Sequence, residues 1–279
     1  MDVELQTKID KSLKILDTVY KNSKGKTIEL CYSGGKDSDV ILELANMASI
    51  PVLPIYKNTT IDPAGTIKHC LENHVQILQP KYSFYDIIKK KGFPTRLRRF
   101  CCSILKEYKV HDIAILGIRK SESVKRNARY LEPITCRLYH GSKQCTEQVF
   151  PILYWSDEDV RKFIEARQIK CHPLYYDEKG NFHVERRLGC MGCPLKSDNG
   201  LSHFKENPRL VRAWIKNGRI WWNTHPLTKT KAKFQTIEDV FIRNVFFKDF
   251  EQFKLSMSDM FGTINAREFL EKYFNINLD

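Results

Sequence analysis

TIELCYSGGKDSDVILELANM (residues 27–47) joins two different patterns at one glycine pair. TIELCYS (27–33) is a short apolar run bounded by turn residues, and it predicts a buried strand. After the glycines, Val40, Ile41, Leu44 and Met47 recur at helical intervals. Gly34 and Gly35 let the chain turn tightly and aim backbone N–H groups inward, where the helix N-terminus adds partial positive charge. Together these make a cradle for phosphate. Ser33 and Ser38 can add hydroxyl hydrogen bonds, Lys36 a positive charge, and Asp37 a carboxylate to hold Mg²⁺ against a pyrophosphate. A glycine pair alone is an ordinary tight turn. The whole hexapeptide SGGKDS (33–38), placed where a strand hands over to a helix, is what favours phosphate binding. The glycine spacing of the Walker loop is absent.

Outward from the loop, PVLPIY (51–56), HVQILQP (74–80) and DIAILGI (112–118) read as further strands, with a helix near 63–73. Leu5, Ile9, Leu13, Leu16 and Tyr20 mark an amphipathic helix over 3–22. Strands alternating with helices predict an α/β fold with a doubly wound, mostly parallel sheet. Residues 131–150 alternate instead and contain His140-Gly141-Ser142, the turn of an expected hairpin. Ser156 with Asp159 three residues on starts a helix over 156–169. After Pro208 the chain turns basic and aromatic and predicts a small helical C-terminal region. There Trp214, Trp221 and Trp222 either form a helical core or stack on bases.

The 279 residues are 42% apolar, enough to bury a sizeable core and to exclude general disorder. Lys and Arg number 46 against 33 Asp and Glu, a net +13, which suits a polyanionic partner, nucleic acid first, or a basic enzyme of small phosphates. No window reaches the ~18 apolar residues of a membrane helix, and residues 1–30 lack the continuous apolar stretch of a signal peptide. The expected location is therefore cytoplasmic, with no membrane partner. In that compartment nine cysteines are poor candidates for disulfides and better ones for metal ligation.

Four of those cysteines fall into two clusters, Cys101-Cys102 in RRFCCSILK and Cys190-x-x-Cys193 in LGCMGCP. Adjacent cysteines do not both face one zinc ion comfortably, but they can reach different corners of a larger group. A 4Fe–4S cluster therefore ranks first and tetrahedral zinc second. Arg96, Arg98, Arg99, Lys106, Arg186 and Arg187 would favour thiolates there. Arg96, Arg98 and Arg99 could also guide a nucleic-acid backbone. Cys31 and Cys70 are expected in the core. Cys136, Cys145 and Cys171 leave room for a second metal site, and His172 reads as a packing residue.

With these residues on the page the sequence resembles the phosphoadenosine phosphosulfate reductase family of the PP-loop superfamily. Seven ordered landmarks carry the resemblance between about 27 and 196: SGGKDS (33–38), NTTIDP (58–63), CCSILK (101–106), GIRKSESVKR (117–126), PILYWSDEDV (151–160), HPLY (172–175) and GCMGCP (189–194). It implies a Rossmann-like fold in which Ser33, Gly34, Gly35, Asp37 and Ser38 contact nucleotide phosphates and Arg119 and Arg126 line the same pocket. It also implies that Cys101, Cys102, Cys190 and Cys193 are the cluster ligands of the iron–sulfur branch, with Lys106 the basic residue beside them. The expected organisation is a nucleotide-binding domain with the cysteine site over 1–200 and a helical region over 201–279.

True sulfonucleotide reductases carry a catalytic cysteine in a C-terminal tail, and here no cysteine follows Cys193. The reading is therefore an ATP pyrophosphatase that adenylates a substrate for sulfur transfer, with Lys36, Asp37, Lys106 and Arg119 in the chemistry. Iron–sulfur PP-loop proteins that thiolate tRNA or build DNA phosphorothioate look similar, the second group most so. The expected cofactors are ATP, Mg²⁺ and a 4Fe–4S cluster. The expected partners are nucleic acid, a cysteine desulfurase or other sulfur donor, and a second copy in a homodimer. A sulfonucleotide reductase using an external thiol is the alternative, and a nucleotide- or redox-sensing binding protein the third.

Overall fold

In the computed structural model, residues 2–139, 143–225, 233–246, 258–259, 262–263 and 265–278 are described. They fall into two compact units. The first comprises residues 1–58, 63–79 and 107–189, and the second residues 59–62, 80–106 and 190–279.

The first unit holds a six-stranded sheet. Its strands are β1 (Ile28–Tyr32), β2 (Leu53–Lys57), β3 (Gln76–Leu78), β4 (Ile113–Leu116), β5 (Ile134–Arg137) and β6 (Thr146–Val149), in the order β3-β2-β1-β4-β6-β5. All neighbours are parallel except β5 and β6, which pair antiparallel. This is the doubly wound α/β sheet expected from the alternating pattern. The strand order reverses between β1 and β4, and a sheet of this kind opens a ligand crevice beyond the carboxyl ends of the strands at such a switch point. Leu30, Ile115 and Val149 are fully buried along the central strands, as strands covered on both faces require.

Helix α1 (Val3–Asn22) is capped by Asp2, and its buried residues Leu5, Ile9, Leu16 and Val19 repeat at helical spacing. Helix α2 (Lys36–Met47) follows the glycine pair and packs against α1 and the sheet. Helix α3 (Thr66–Glu72) follows β2. Helix α7 (Asp157–Arg167) begins in the Ser156–Asp159 capping box. The hairpin is present as β5 and β6, while its expected turn at His140-Gly141-Ser142 lies outside the described residues.

The expectation of reduced thiols is corrected across that hairpin, where Cys136 and Cys145 form a disulfide. The antiparallel strands bring their Cα atoms to 5.8 Å, inside the range a disulfide spans. The second metal site drawn from Cys136, Cys145 and Cys171 therefore does not form, and Cys171 is a buried free thiol. Cys70 is buried in the core as expected, whereas Cys31 is half-buried with its thiol on Glu29 Oε1 at 3.3 Å.

The second unit is helical: α4 (Phe84–Lys91), α5 (Phe100–Leu105), α8 (Leu201–Glu206), α9 (Pro208–Thr224), α10 (Ile237–Val245) and α11 (Ala266–Phe274). The short α6 (Val124–Arg129) belongs to the first unit. The division does not fall at residue 200. Phe84, Ile88, Phe93 and Leu105, from the segment between β3 and β4, share an apolar core with Phe204, Trp214 and Phe241 from beyond the last strand. Trp214 and Trp221 are 4% and 6% exposed, so both are core residues, and Trp222 packs partly buried against the same core.

Gly218 sits mid-helix in α9, where glycine costs ~1 kcal/mol relative to alanine. Packing explains it: a Cβ there would lie 2.5 Å from Phe93 Cζ and 2.9 Å from Ile237 Cγ1. Gly218→Ala is expected to destabilise the protein by about 1–3 kcal/mol despite its helix-favouring side chain. Urea unfolding would read this directly, and an unchanged or raised midpoint would contradict the packing.

Candidate nucleotide and four-cysteine sites

The SGGKDS segment turns at the end of β1. Gly34 takes φ +76°, a conformation open to glycine at little cost. A Cβ on it would sit 3.1 Å from both Leu188 and Thr66. Gly35 is the N-cap of α2 in extended conformation. Ser38 Oγ donates to Gly35 O at 2.7 Å and lies 3.3 Å from Ser33 Oγ, so the two serines brace the loop from within. The hydroxyl of Tyr175 accepts the N–H of Leu188 at 3.3 Å and closes the loop from the side. At Gly117, just after β4, a Cβ would come within 2.8 Å of the Asp37 carbonyl. Glycine therefore lets the switch point close around the first turn of α2.

The loop's charges form one chain. Lys36, 3% exposed, places Nζ 3.4 Å from Asp37 Oδ2. Asp37 Oδ1 accepts from Arg119 Nε at 2.7 Å, and Arg119 NH2 donates to Asp157 Oδ1 at 2.7 Å. Arg119 is 1% exposed and also donates to Ser121 Oγ. Arg126 pairs with Glu122, whose carboxylate also accepts the Arg119 N–H at 3.1 Å. Burial lowers the pKa of Arg126. The structure thus gathers Ser33, Gly34, Gly35, Lys36, Asp37, Ser38 and Arg119 at one place, with Arg126 linked through Glu122. Each oxygen of Asp37 already holds a cation, yet each keeps a further lone pair, so the residue retains capacity to coordinate Mg²⁺.

Behind the loop lies a buried polar cluster that spacing gave no hint of. Tyr32 OH is hydrogen-bonded to Asp39 and lies 2.9 Å from His69 Nε2, which itself is 2.9 Å from Asp39 Oδ1. Burial raises the pKa of Asp39, against the lowering effect of His69. His172 is fully buried, its Nε2 3.4 Å from Thr66 Oγ1 and its ring edge-on to His69, so it is a packing residue as expected. Asp157, Glu122, Asp39 and His69 were all missed. The one available signal was that Asp157 and Glu122 sit inside two of the quoted landmarks.

In the second unit Cys101, Cys102, Cys190 and Cys193 line one cavity with Lys106, Thr59 and Met191. Cys101 and Cys102 stand on α5, and the turn carrying Cys190 is held by Met191 N–H donating to Ile61 O at 2.8 Å. Gly192, between the two cysteines, takes φ +70° and donates its N–H to His203 Nδ1 at 3.0 Å. The hydrogen bond from Cys101 holds Cys102 below the ordinary thiol range, at about 6, with Arg99 and Lys106 adding to the effect. The same bond, together with burial and the neighbouring Cys190 and Cys193, pushes Cys101 up. Burial raises Cys190, against Lys106. Burial opposes the charge on Lys106, but Cys190 and Asp62, 3.8 Å away, outweigh it and hold its pKa high. Among the described residues no three His, Cys, Asp or Glu side chains are grouped so as to hold a single metal ion. Lys106 belongs to this site, whereas Lys36, Asp37 and Arg119 belong to the first unit.

Arg96, Arg98 and Arg99, expected as guides for a nucleic-acid backbone, are all exposed. Arg96 donates to Asn199 Oδ1 at 2.9 Å and to the Lys196 carbonyl, and Arg98 stands by the Phe100 ring. Arg99 flanks Cys102.

A doubly wound sheet with an SGGKDS cradle at its switch point defines a PP-loop adenine-nucleotide protein. The chain belongs to the phosphoadenosine phosphosulfate reductase domain family, which it matches over residues 27–196. It is 30% identical over 74% of its length to an uncharacterized protein of Methanocaldococcus jannaschii, covering 51% of that protein. It is 26% identical over 65% of its length to sulfate adenylyltransferase subunit 2 of Rhizobium johnstonii, covering 63% of that chain. The chain thus spans about half to under two thirds of these curated relatives. Among solved structures, the FMN adenylyltransferase of Candida glabrata is similar at 16% identity and TM-score 0.45, over 68% of this chain and 62% of that one. No helix among the described residues is long and apolar enough to cross a membrane.

Proposed function

We propose that the chain is an ATP pyrophosphatase that activates a substrate oxygen for replacement by sulfur, with nucleic acid as the acceptor. The observation that carries this reading is the cradle itself: a glycine turn and helix N-terminus joined to a buried Lys36–Asp37–Arg119 chain at the switch point. That arrangement suits a triphosphate whose two outer phosphates leave together. A substrate oxygen attacks the α-phosphorus, the bond to the bridging oxygen breaks, and pyrophosphate departs with its charge met by Lys36 and the loop N–H groups; Asp37 would hold Mg²⁺, which would supply further charge neutralisation. Arg119 holds Asp37 in place, and Asp157 and Glu122 hold Arg119. A sulfur nucleophile then attacks the activated centre and AMP leaves with the oxygen.

Cys101, Cys102, Cys190 and Cys193 would hold a 4Fe–4S cluster, with Lys106 offsetting the negative charge of its thiolates. The adjacent pair Cys101-Cys102 suits such a group better than zinc, because neighbouring thiolates do not both face one ion comfortably. When bound, the cluster supplies a sulfur-binding centre. A cysteine desulfurase or another donor would bring the sulfur, and either DNA phosphorothioate formation or tRNA thiolation would use it.

Incubation with ATP and Mg²⁺, with water in place of the substrate oxygen, is expected to release AMP and pyrophosphate in equal amounts, read by chromatography of the nucleotides. Release of ADP and phosphate would remove the reading. Consumption of adenylyl sulfate with an added thiol, and no cleavage of ATP, would replace it with the sulfonucleotide reductase.

A further inference from the structure

The charge surplus is not spread evenly. The segments of the second unit carry 22 Lys and Arg against 12 Asp and Glu, which accounts for ten of the chain's thirteen excess positive charges. Many basic side chains of the first unit are neutralised by design of the fold: Lys8 by Asp159, Arg161 by Glu158 and Glu165, Lys162 by Asp2, and Arg167 by Glu43. Helix α9 is different. Its 17 residues contain no acid, and its buried stripe Leu210, Val211, Trp214, Ile215, Gly218 and Trp221 turns one face to the core. Arg209, Arg212 and Lys216 stand exposed on the opposite face, and none has a carboxylate partner among the described residues.

Local physics does not explain these cations. A helix N-terminus favours negative charge, and the other long helices comply: Glu4 in α1, Asp157, Glu158 and Asp159 in α7. Helix α9 has no acid in its first turn and no side-chain cap, and it carries Arg209 there and Arg212 just beyond. Folding gains nothing from that arrangement. Arg209, Arg212 and Lys216 advance along the axis by about 4.5 and 6 Å, and a strand that presents a phosphate every ~3.4 Å of duplex axis passes phosphates within reach of all three.

We infer that the outer face of α9 is a docking strip for the phosphate backbone of the nucleic-acid substrate, a deepening that rests on the acceptor proposed above. It contributes affinity and not sequence choice, because phosphate contacts carry no base information.

The test compares the full chain with the triple variant Arg209→Ala, Arg212→Ala, Lys216→Ala, using fluorescently labelled single-stranded DNA, duplex DNA and tRNA across a salt series. Alanine keeps the helix, so the surface changes while the fold stays. Wild-type affinity should fall steeply with salt. The triple variant should lower the slope of log affinity against log salt by about 2 on single strands and nearly 3 on duplex, from three lost contacts. Its release of AMP and pyrophosphate from ATP alone should match wild type. A wild type that binds steeply, with an unchanged slope in the triple variant, overturns the strip and leaves the acceptor reading intact. A wild type that binds no nucleic acid overturns both. Binding to phosphatidylserine vesicles that the triple variant loses, with nucleic-acid binding unaffected, assigns the strip to an anionic lipid surface and overturns the inference.

Discussion

Cys190→Ser is expected to yield a protein without cluster iron, while the wild type purified without oxygen is brown and holds about four irons per chain. The argument rests on where the four thiols stand. Cys101, Cys102, Cys190 and Cys193 line one cavity, and the Cys190 thiol lies 3.6 Å from Thr59 Oγ1. A serine there offers a hydroxyl that remains protonated near neutral pH and so cannot replace a thiolate ligand. Cys31→Ser is the control: that thiol belongs to β1 in the first unit and bonds to Glu29, so iron content should not change. Iron assay and visible absorption read both variants. A colourless wild type with one zinc per chain, or a Cys190→Ser protein with its iron intact, would each end the cluster proposal.

The strand–turn–helix at SGGKDS and the two separate cysteine pairs were legible because each is local. SGGKDS needs only its own residues and the strand and helix beside it, and a C-x-x-C pair needs only a turn. What the sequence did not disclose depends on residues far apart. Arg119 reaches Asp37 across 82 positions and Asp157 across 38, so its burial and its two partners could not be read from spacing. The boundary expected at residue 200 failed for the same reason. Residues 80–106 lie between two strands of the sheet, yet Phe84, Ile88 and Phe93 are apolar on a face completed only by Trp214 and Phe241. The Cys136–Cys145 bridge was missed because compartment statistics argued against it, whereas the fold of the hairpin sets the two Cα atoms 5.8 Å apart, diagonal to the Cys136–Glu147 pair. Residue type left the tryptophans open between base stacking and a helical core, and burial decides it: Trp214 and Trp221 are core.

Asp37→Asn is expected to reduce cleavage of ATP to AMP and pyrophosphate by about 100-fold or more, the scale on which loss of one pre-set electrostatic group acts. For Asp37, asparagine is a more informative change than alanine. The structure places it in the first turn of α2, between Lys36 and a nearly fully buried Arg119. Asp37→Ala would leave a buried guanidinium short of a partner, a loss of up to about 3–5 kcal/mol when such a charge is left uncompensated. Activity and stability would then fall together. Asparagine keeps an oxygen for Arg119 Nε and removes only the charge, and Asp157 still pairs with Arg119 NH2. The melting temperature should therefore drop less in Asp37→Asn than in Asp37→Ala, while the two variants lose similar catalytic rate. Because the charge acts on Mg²⁺ and the departing pyrophosphate, the loss should appear in kcat more than in KM for ATP, and raising Mg²⁺ should restore part of it. An Asp37→Asn protein that cleaves ATP at the wild-type rate would mean the carboxylate only anchors Arg119, and the role of Asp37 in metal binding would be withdrawn.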